Sequence, residues 1–291
     1  MMKNSLLLSA ICTVSLALGA AEAVPAAQRS DAGPVTGIAV DSSGRIFASG
    51  GLVEPFQELD GSGAVRRAWG REFTGAKHGM RSYGGFLYVT DIGNHQVRKM
   101  TLDGKNLLIL GEKGVPGCDR NHFDKPTDVA VAPDGDIYVT DGYGNRRVVC
   151  FDARGNYKFE WGRAGEGPGE FNNPHNIVIG SDNRVYVADR DNRRLQVFDR
   201  TGKLLEVHRD AGQVFGLDSD GARLFVTVAR PGWHGVLVTA FDSTVLDSCG
   251  GQGKESGQFD VPHSVAWDPV RNCLWVGEVG NRRIQKITLS K

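Results

Sequence analysis

Two stretches, FNNPHNIVIG at 171–180 and FDVPHSVAWD at 259–268, each set a Pro-His pair before an apolar run. A third histidine stands in AKHGM at 76–80. An imidazole can ligate a metal, move a proton or simply bond a turn, and a lone one usually does the last. Aligning the repeated units of the chain at the start of their first strand puts Thr36, His78, Thr127, His175, Gln213 and His263 in one slot. Three of the seven histidines therefore share one address in alternate units. In a six-fold ring such units stand about 120° apart, so their side chains can converge on the axis. Three imidazoles with an open fourth position are the ligand set of a catalytic zinc ion. His78, His175 and His263 are the candidate ligands, whereas His95, His122, His208 and His234 read as surface or turn residues.

The turn DGYGN is one residue longer than its counterparts DIGN, DRDN and EVGN. The extra residue should lift Tyr143 to the channel mouth. Beside a metal ion its phenolate would be stabilised and could serve as a general base. A packing role is the plainer alternative.

The elements that must position these side chains are short strands. Residues 123–162 hold the clearest unit, in which DVAVA, IYVTD, RRVVCFD and YKFEWG are separated by PDGD, a Gly/Asn turn and ARGN. Gly and Asn accept positive φ and Pro fixes a negative φ of about −65°, so these are turns. No segment sustains a helical period. Six units fall at about 31–70, 71–114, 121–164, 169–210, 211–254 and 257–291. A single sheet cannot bury both faces, but six arranged radially can. The expected fold class is therefore all-β, a six-bladed β-propeller over residues 24–291. The last unit has only three strands, and residues 24–34 are the stretch expected to supply a fourth.

Lys+Arg and Asp+Glu both number 34, so no net charge draws this chain to nucleic acid or anionic lipid. Residues 1–23 read as an export leader, with Lys3, the apolar LLLSAICTVSLALGA and an Ala21-Glu22-Ala23 cleavage site. The apolar run is too short for a stable membrane span. A periplasmic or secreted monomer is expected. Beyond the leader four cysteines remain, and an even count in an exported chain favours disulfides. Pairing within neighbouring units gives Cys118–Cys150 and Cys249–Cys273.

The recurring D-x-x-N-x-R-[VIL] pattern, complete in DRDNRRL and varied at one position in DIGNHQV and EVGNRRI, resembles the NHL repeat. Its Asp, Asn and Arg are expected to tie turns and blades together. NHFDKPTDVAVAPDGDIYVTDGYGNRRVV, GEFNNPHNIVI, VYVADRDNRRLQVF and FDVPHSVAW resemble the peptidyl-α-hydroxyglycine α-amidating lyases. That resemblance implies a zinc-dependent cleavage of an α-hydroxyglycine peptide end to a peptide amide and glyoxylate. It implies zinc on His78, His175 and His263, Tyr143 as the catalytic residue and Arg190 near the substrate. It also implies a structural calcium on the backbone carbonyls of Ile38 and Met80. The substrate would be a small peptide or N-acylglycine-like molecule. Three positions depart from the pattern. Gly51 stands where an active-site arginine is expected, Ser264 replaces a calcium-binding aspartate, and a family disulfide is missing at Asp124 and Gly144. A non-catalytic propeller that binds protein or peptide partners is the alternative. A calcium-dependent lactonase is disfavoured, because the slot residues are not acidic.

Overall fold

The computed structural model describes residues 18–24, 33–209 and 212–289. They form six antiparallel four-stranded sheets, five of them consecutive in sequence, arranged as the six blades of a propeller. The inner strands begin the blades at Gly37–Val40, Lys77–Tyr83, Asp128–Val131, Pro174–Ile179, Gln213–Ser219 and Pro262–Asp268. Among the described residues no helix is long and apolar enough to cross a membrane.

Burial follows from the radial packing. A strand covered by a neighbouring blade on each face loses its polar side, and Ile137–Asp141 is buried throughout. The outermost strand of that blade alternates instead, with Tyr157, Phe159 and Trp161 half-buried and Lys158 and Glu160 exposed. Each core lies between two blades. Tyr138, Val148 and Cys150 of blade three meet Phe171, Ile177 and Val185 of blade four. The hairpins are tight. In PDGD, Gly135 at φ 90° lets its N–H reach Ala132 O at 2.8 Å.

Blade six is completed by Leu18–Val24, which pairs antiparallel with Ile284–Leu289. This closing strand lies upstream of the 24–34 stretch expected to supply it and overlaps the segment read as a leader. Pro25 and Pro34 each lack the N–H that a ladder needs; residues 25–32 lie outside the described residues.

The expected disulfides are not formed: Cys118, Cys150, Cys249 and Cys273 are free thiols. Cys118 is exposed in a loop, while Cys150 is fully buried between blades three and four. Cys249 packs on the core between blades five and six, and Cys273 belongs to the core between blades six and one. Blade six thus stands between the second pair. Adjacent repeats put these thiols on different blade faces, which counting alone could not show.

The D-x-x-N-x-R pattern holds the loops that enter the inner strands. In blade four the Asp189 carboxylate accepts from Asn192 Nδ2 and Arg194 Nε, both at 2.8 Å, and from the Asn172 N–H at 2.9 Å. Arg194 Nη2 then donates to Glu170 O at 2.7 Å. Blade six repeats this with Glu278, Asn281, Arg283 and the Asp260 N–H. Blade three does so with Asp141, Asn145, Arg147 and the Asp124 N–H. The repeat motif therefore fixes FNNPH and FDVPH just before their histidines.

Candidate metal centre

Each histidine stands in an irregularity of its inner strand. The register shifts between Lys77 and Met80, between Pro174 and Asn176, and between Pro262 and Ser264. A bulge leaves one residue out of the ladder and re-aims its side chain. The three rings meet on the axis with centroids 4.8, 4.6 and 4.8 Å apart. All three are buried, and one nitrogen from each lies within 4.8 Å of the others.

A shared hydrogen-bond rule sets the rings. His78 Nδ1 lies 2.6 Å from Thr127 O, His175 Nδ1 2.8 Å from Phe215 O, and His263 Nδ1 2.9 Å from Thr36 O. A carbonyl can only accept, so Nδ1 carries the proton in each case and Nε2 keeps a lone pair. Burial holds His78 and His175 well below the usual imidazole range, and neighbouring rings add to this. Burial brings His263 down to about 4. Three neutral rings with bare nitrogens toward one point could hold a metal ion, and their carbonyl partners are the outer support such ligands need.

The same rule corrects the slot in blade five. The carbonyl that receives His175 belongs to Phe215, and the strand there shifts register between Val214 and Gly216. Phe215, not Gln213, is the equivalent of the histidines; Gln213 only begins the strand. Blade five lacks the Pro-His pair that anchors the alignment elsewhere. The threonine slots pass the ring onward, Thr36 Oγ1 to Lys77 O at 3.1 Å and Thr127 Oγ1 to Pro174 O at 2.7 Å. Phe215 has no side-chain donor, so the circuit has a gap at blade five.

The lengthened turn brings Tyr143 to this centre. Its hydroxyl is 2.9 Å from His78 Nε2 and 3.1 Å from His175 Nε2. Arg190 opens a short 3-10 turn, Arg190–Asn192, and its Nη1 donates to Tyr143 at 3.5 Å. Its guanidinium also lies over the Tyr143 and Phe215 rings, 5.6 and 5.3 Å from their centroids. Burial raises the Tyr143 pKa, and the Arg190 charge opposes that rise. Sequence reading missed Phe215, which lies 5.6 Å from His175 and 5.8 Å from His263 between ring centroids.

Gly51 carries no side chain toward the centre, but it lines a cavity of about 480 Å³ on this face, between blades one and two. Thr36, Lys77, Leu52, Phe73 and Arg71 also line it. Lys77 is unavailable there, because its ammonium is buried 2.8 Å from Asp91. Below the histidines, Ile38, Met80, Ser264 and Asp128 line a void of about 10 Å³.

A family model described as a 6-bladed beta-propeller matches residues 118–217. A probable peptidyl-alpha-hydroxyglycine alpha-amidating lyase of Caenorhabditis elegans is 49% identical over 118 residues, 39% of this chain and 34% of that protein. The chain is a six-bladed β-propeller similar to amidating lyases. The match thus spans about a third of the worm protein's length. Mouse NHL repeat-containing protein 3 is 29% identical, with 86% of this chain and 78% of that protein covered. A streptogramin B lyase structure superposes at TM-score 0.64, with 18% identity and coverage of 94% and 98%, a likeness of fold.

Proposed function

We propose that this protein is an exported zinc-dependent carbon–nitrogen lyase acting on an α-hydroxyglycine peptide end. One observation carries the reading: the Tyr143 hydroxyl lies within hydrogen-bond reach of two bare imidazole nitrogens, with Arg190 beside it. Zinc on the three Nε2 atoms would supply a Lewis acid for the substrate hydroxyl and a charge that favours the Tyr143 phenolate. Arg190 pairs with the substrate carboxylate through its guanidinium. Tyr143 removes the hydroxyl proton. The carbon–oxygen bond becomes a carbonyl, the carbon–nitrogen bond breaks, and the electron pair stays on the amide nitrogen. Return of the proton from Tyr143 to that nitrogen completes a peptide amide and glyoxylate and restores the phenolate. Phe215 walls the site on the Arg190 side and keeps water from it. The cavity beside Leu52 takes the acyl body of the substrate.

The export reading concerns the same residues that close the ring. Cleavage after Ala23 would remove all of the closing strand except Val24. Gly51 and the similarity to NHL repeat-containing protein 3 favour a second reading, a non-catalytic propeller with a metal in its channel. Zinc content measured together with glyoxylate release, on the wild type and Tyr143→Phe, separates the two. Zinc with turnover lost in the variant supports the lyase. Zinc without any turnover supports the binding propeller, and a protein that takes no zinc contradicts both.

A further inference from the structure

Three residues beyond His78 on the same inner strand, Arg81 reaches across the axis. Its Nη2 lies 2.6 Å from Asp128 Oδ2 in blade three. In blade four it lies 2.7 Å from Asn176 Oδ1 and 3.2 Å from Ile177 O. The acceptors are held in turn. Asp128 Oδ2 accepts the Ile177 N–H at 3.2 Å, and Asn176 Oδ1 accepts the Leu217 N–H of blade five at 2.8 Å. Asp218 of blade five accepts the Trp267 N–H of blade six at 2.7 Å. One guanidinium therefore anchors a hydrogen-bond network that touches four blades, and Asp218, bonded to blade six, is coupled to it through charge.

We infer that the Arg81 guanidinium is the resident cation of this channel, standing where a structural calcium was expected, and that the fold requires no calcium. The donors around Ile38 and Met80 do not suit that ion. Calcium takes about six to eight oxygens and compensating negative charge. The void beside these residues is about 10 Å³, room for about one water. Of the side-chain oxygens lining it, Asp128 Oδ1 and Ser264 Oγ are buried without a partner. A water beside either oxygen would satisfy it. The other Asp128 oxygen is already paired with Arg81, so a dication would sit against a fixed positive charge.

The charge balance supports this. Burial pulls the Arg81 pKa down, but Asp128 and Asp218 outweigh it and hold the guanidinium charged. Burial pushes Asp128 and Asp218 up, and Arg81 opposes both shifts. The Asp128 side chain is 1% exposed, so its charge has no solvent alternative to Arg81. The consequence also separates the two faces. A recess of about 350 Å³, lined by Arg81, Asp218 and Ile177, opens at the far ends of the inner strands and not on the histidines.

The inference does not depend on the lyase reading, and its test needs no turnover. Protein freed of metal and reloaded with zinc alone is melted with and without millimolar calcium, and the purified chain is assayed for both elements. The expected result is no stoichiometric calcium and a Tm unchanged within about 1 °C. Stoichiometric calcium, or a clear rise in Tm on adding it, overturns the inference. Arg81→Ser should melt about 10 °C lower and become calcium-responsive, because Asp128 at the void and the nearby Asp218 then lose their counter-charge. Arg81→Lys keeps a cation and should stay calcium-insensitive. A folded Arg81→Ser with the wild-type Tm also overturns it. If that variant does not fold, the wild-type melt and Arg81→Lys decide.

Discussion

Two polar layers lie three residues apart on the strand Lys77–Tyr83, and they are built on opposite rules. In the upper layer His78, His175 and His263 each spend Nδ1 on a backbone carbonyl and leave Nε2 for something else. In the lower layer the cation belongs to the chain itself, and Arg81 Nη2 meets three acceptors. Three imidazole nitrogens gathered at one place suit a metal ion, whereas the open oxygens of the lower layer, Asp128 Oδ1 and Ser264 Oγ, lie beside a guanidinium already in place. The upper layer is therefore the place for a removable ion and for chemistry. The lower layer is the place for stability. The difference is made by single residues in a repeated frame, since both layers use the same inner strands.

Substitutions in the two layers should dissociate. His175→Ala has the largest effect expected on function, with zinc falling from about one per chain to none and glyoxylate release falling to background. Arg81→Ser should do the reverse, keeping zinc while losing stability. If His175→Ala keeps its zinc, the upper layer is not the metal site. Tyr143→Phe comes next. It should retain zinc by elemental analysis and lose about 10²–10⁴-fold in kcat, the usual worth of a proton-transfer group. Unchanged kcat would reduce Tyr143 to packing. Arg190→Ala should raise KM about ten- to a hundredfold through the lost charge-assisted pair with a carboxylate. An equal loss on a substrate without that carboxylate would assign Arg190 to holding Tyr143 instead.

The fold was legible because strand, turn and repeat signals agree along the chain, as in PDGD with its hairpin at Gly135. The three histidines were legible because two follow proline and all three fall in alternate units. Other features were hidden for physical reasons. Phe215 follows no proline, and a backbone carbonyl rather than a side-chain type marks it as the fifth slot. Arg81 sits in an ordinary strand, and its partners come from blades three and four, about 50 and 95 residues onward. The cysteine pairs failed because parity ignores which blade face a side chain occupies. The closing strand is hidden because LGAAEAV reads equally as the end of a leader.

The smallest effect expected tests which face feeds the upper layer. Leu52 is 70% exposed and lines the cavity shared with Thr36, whose carbonyl receives His263. An exposed leucine at the edge of such a cavity contributes mainly through the apolar area it covers on a bound partner. Leu52→Ser should therefore lower kcat/KM for a bulky N-acyl-α-hydroxyglycine about tenfold and leave an N-acetyl substrate nearly unchanged. Zinc and Tm should not move, since the residue touches neither layer of the channel. Ser181→Trp, at the rim of the opposite recess, should change neither substrate's kinetics if Arg81 closes that route. A loss in Ser181→Trp with none in Leu52→Ser would reverse the assignment of faces. A loss for both acyl groups in Leu52→Ser would mean that its loop positions the reacting end and not the body of the substrate.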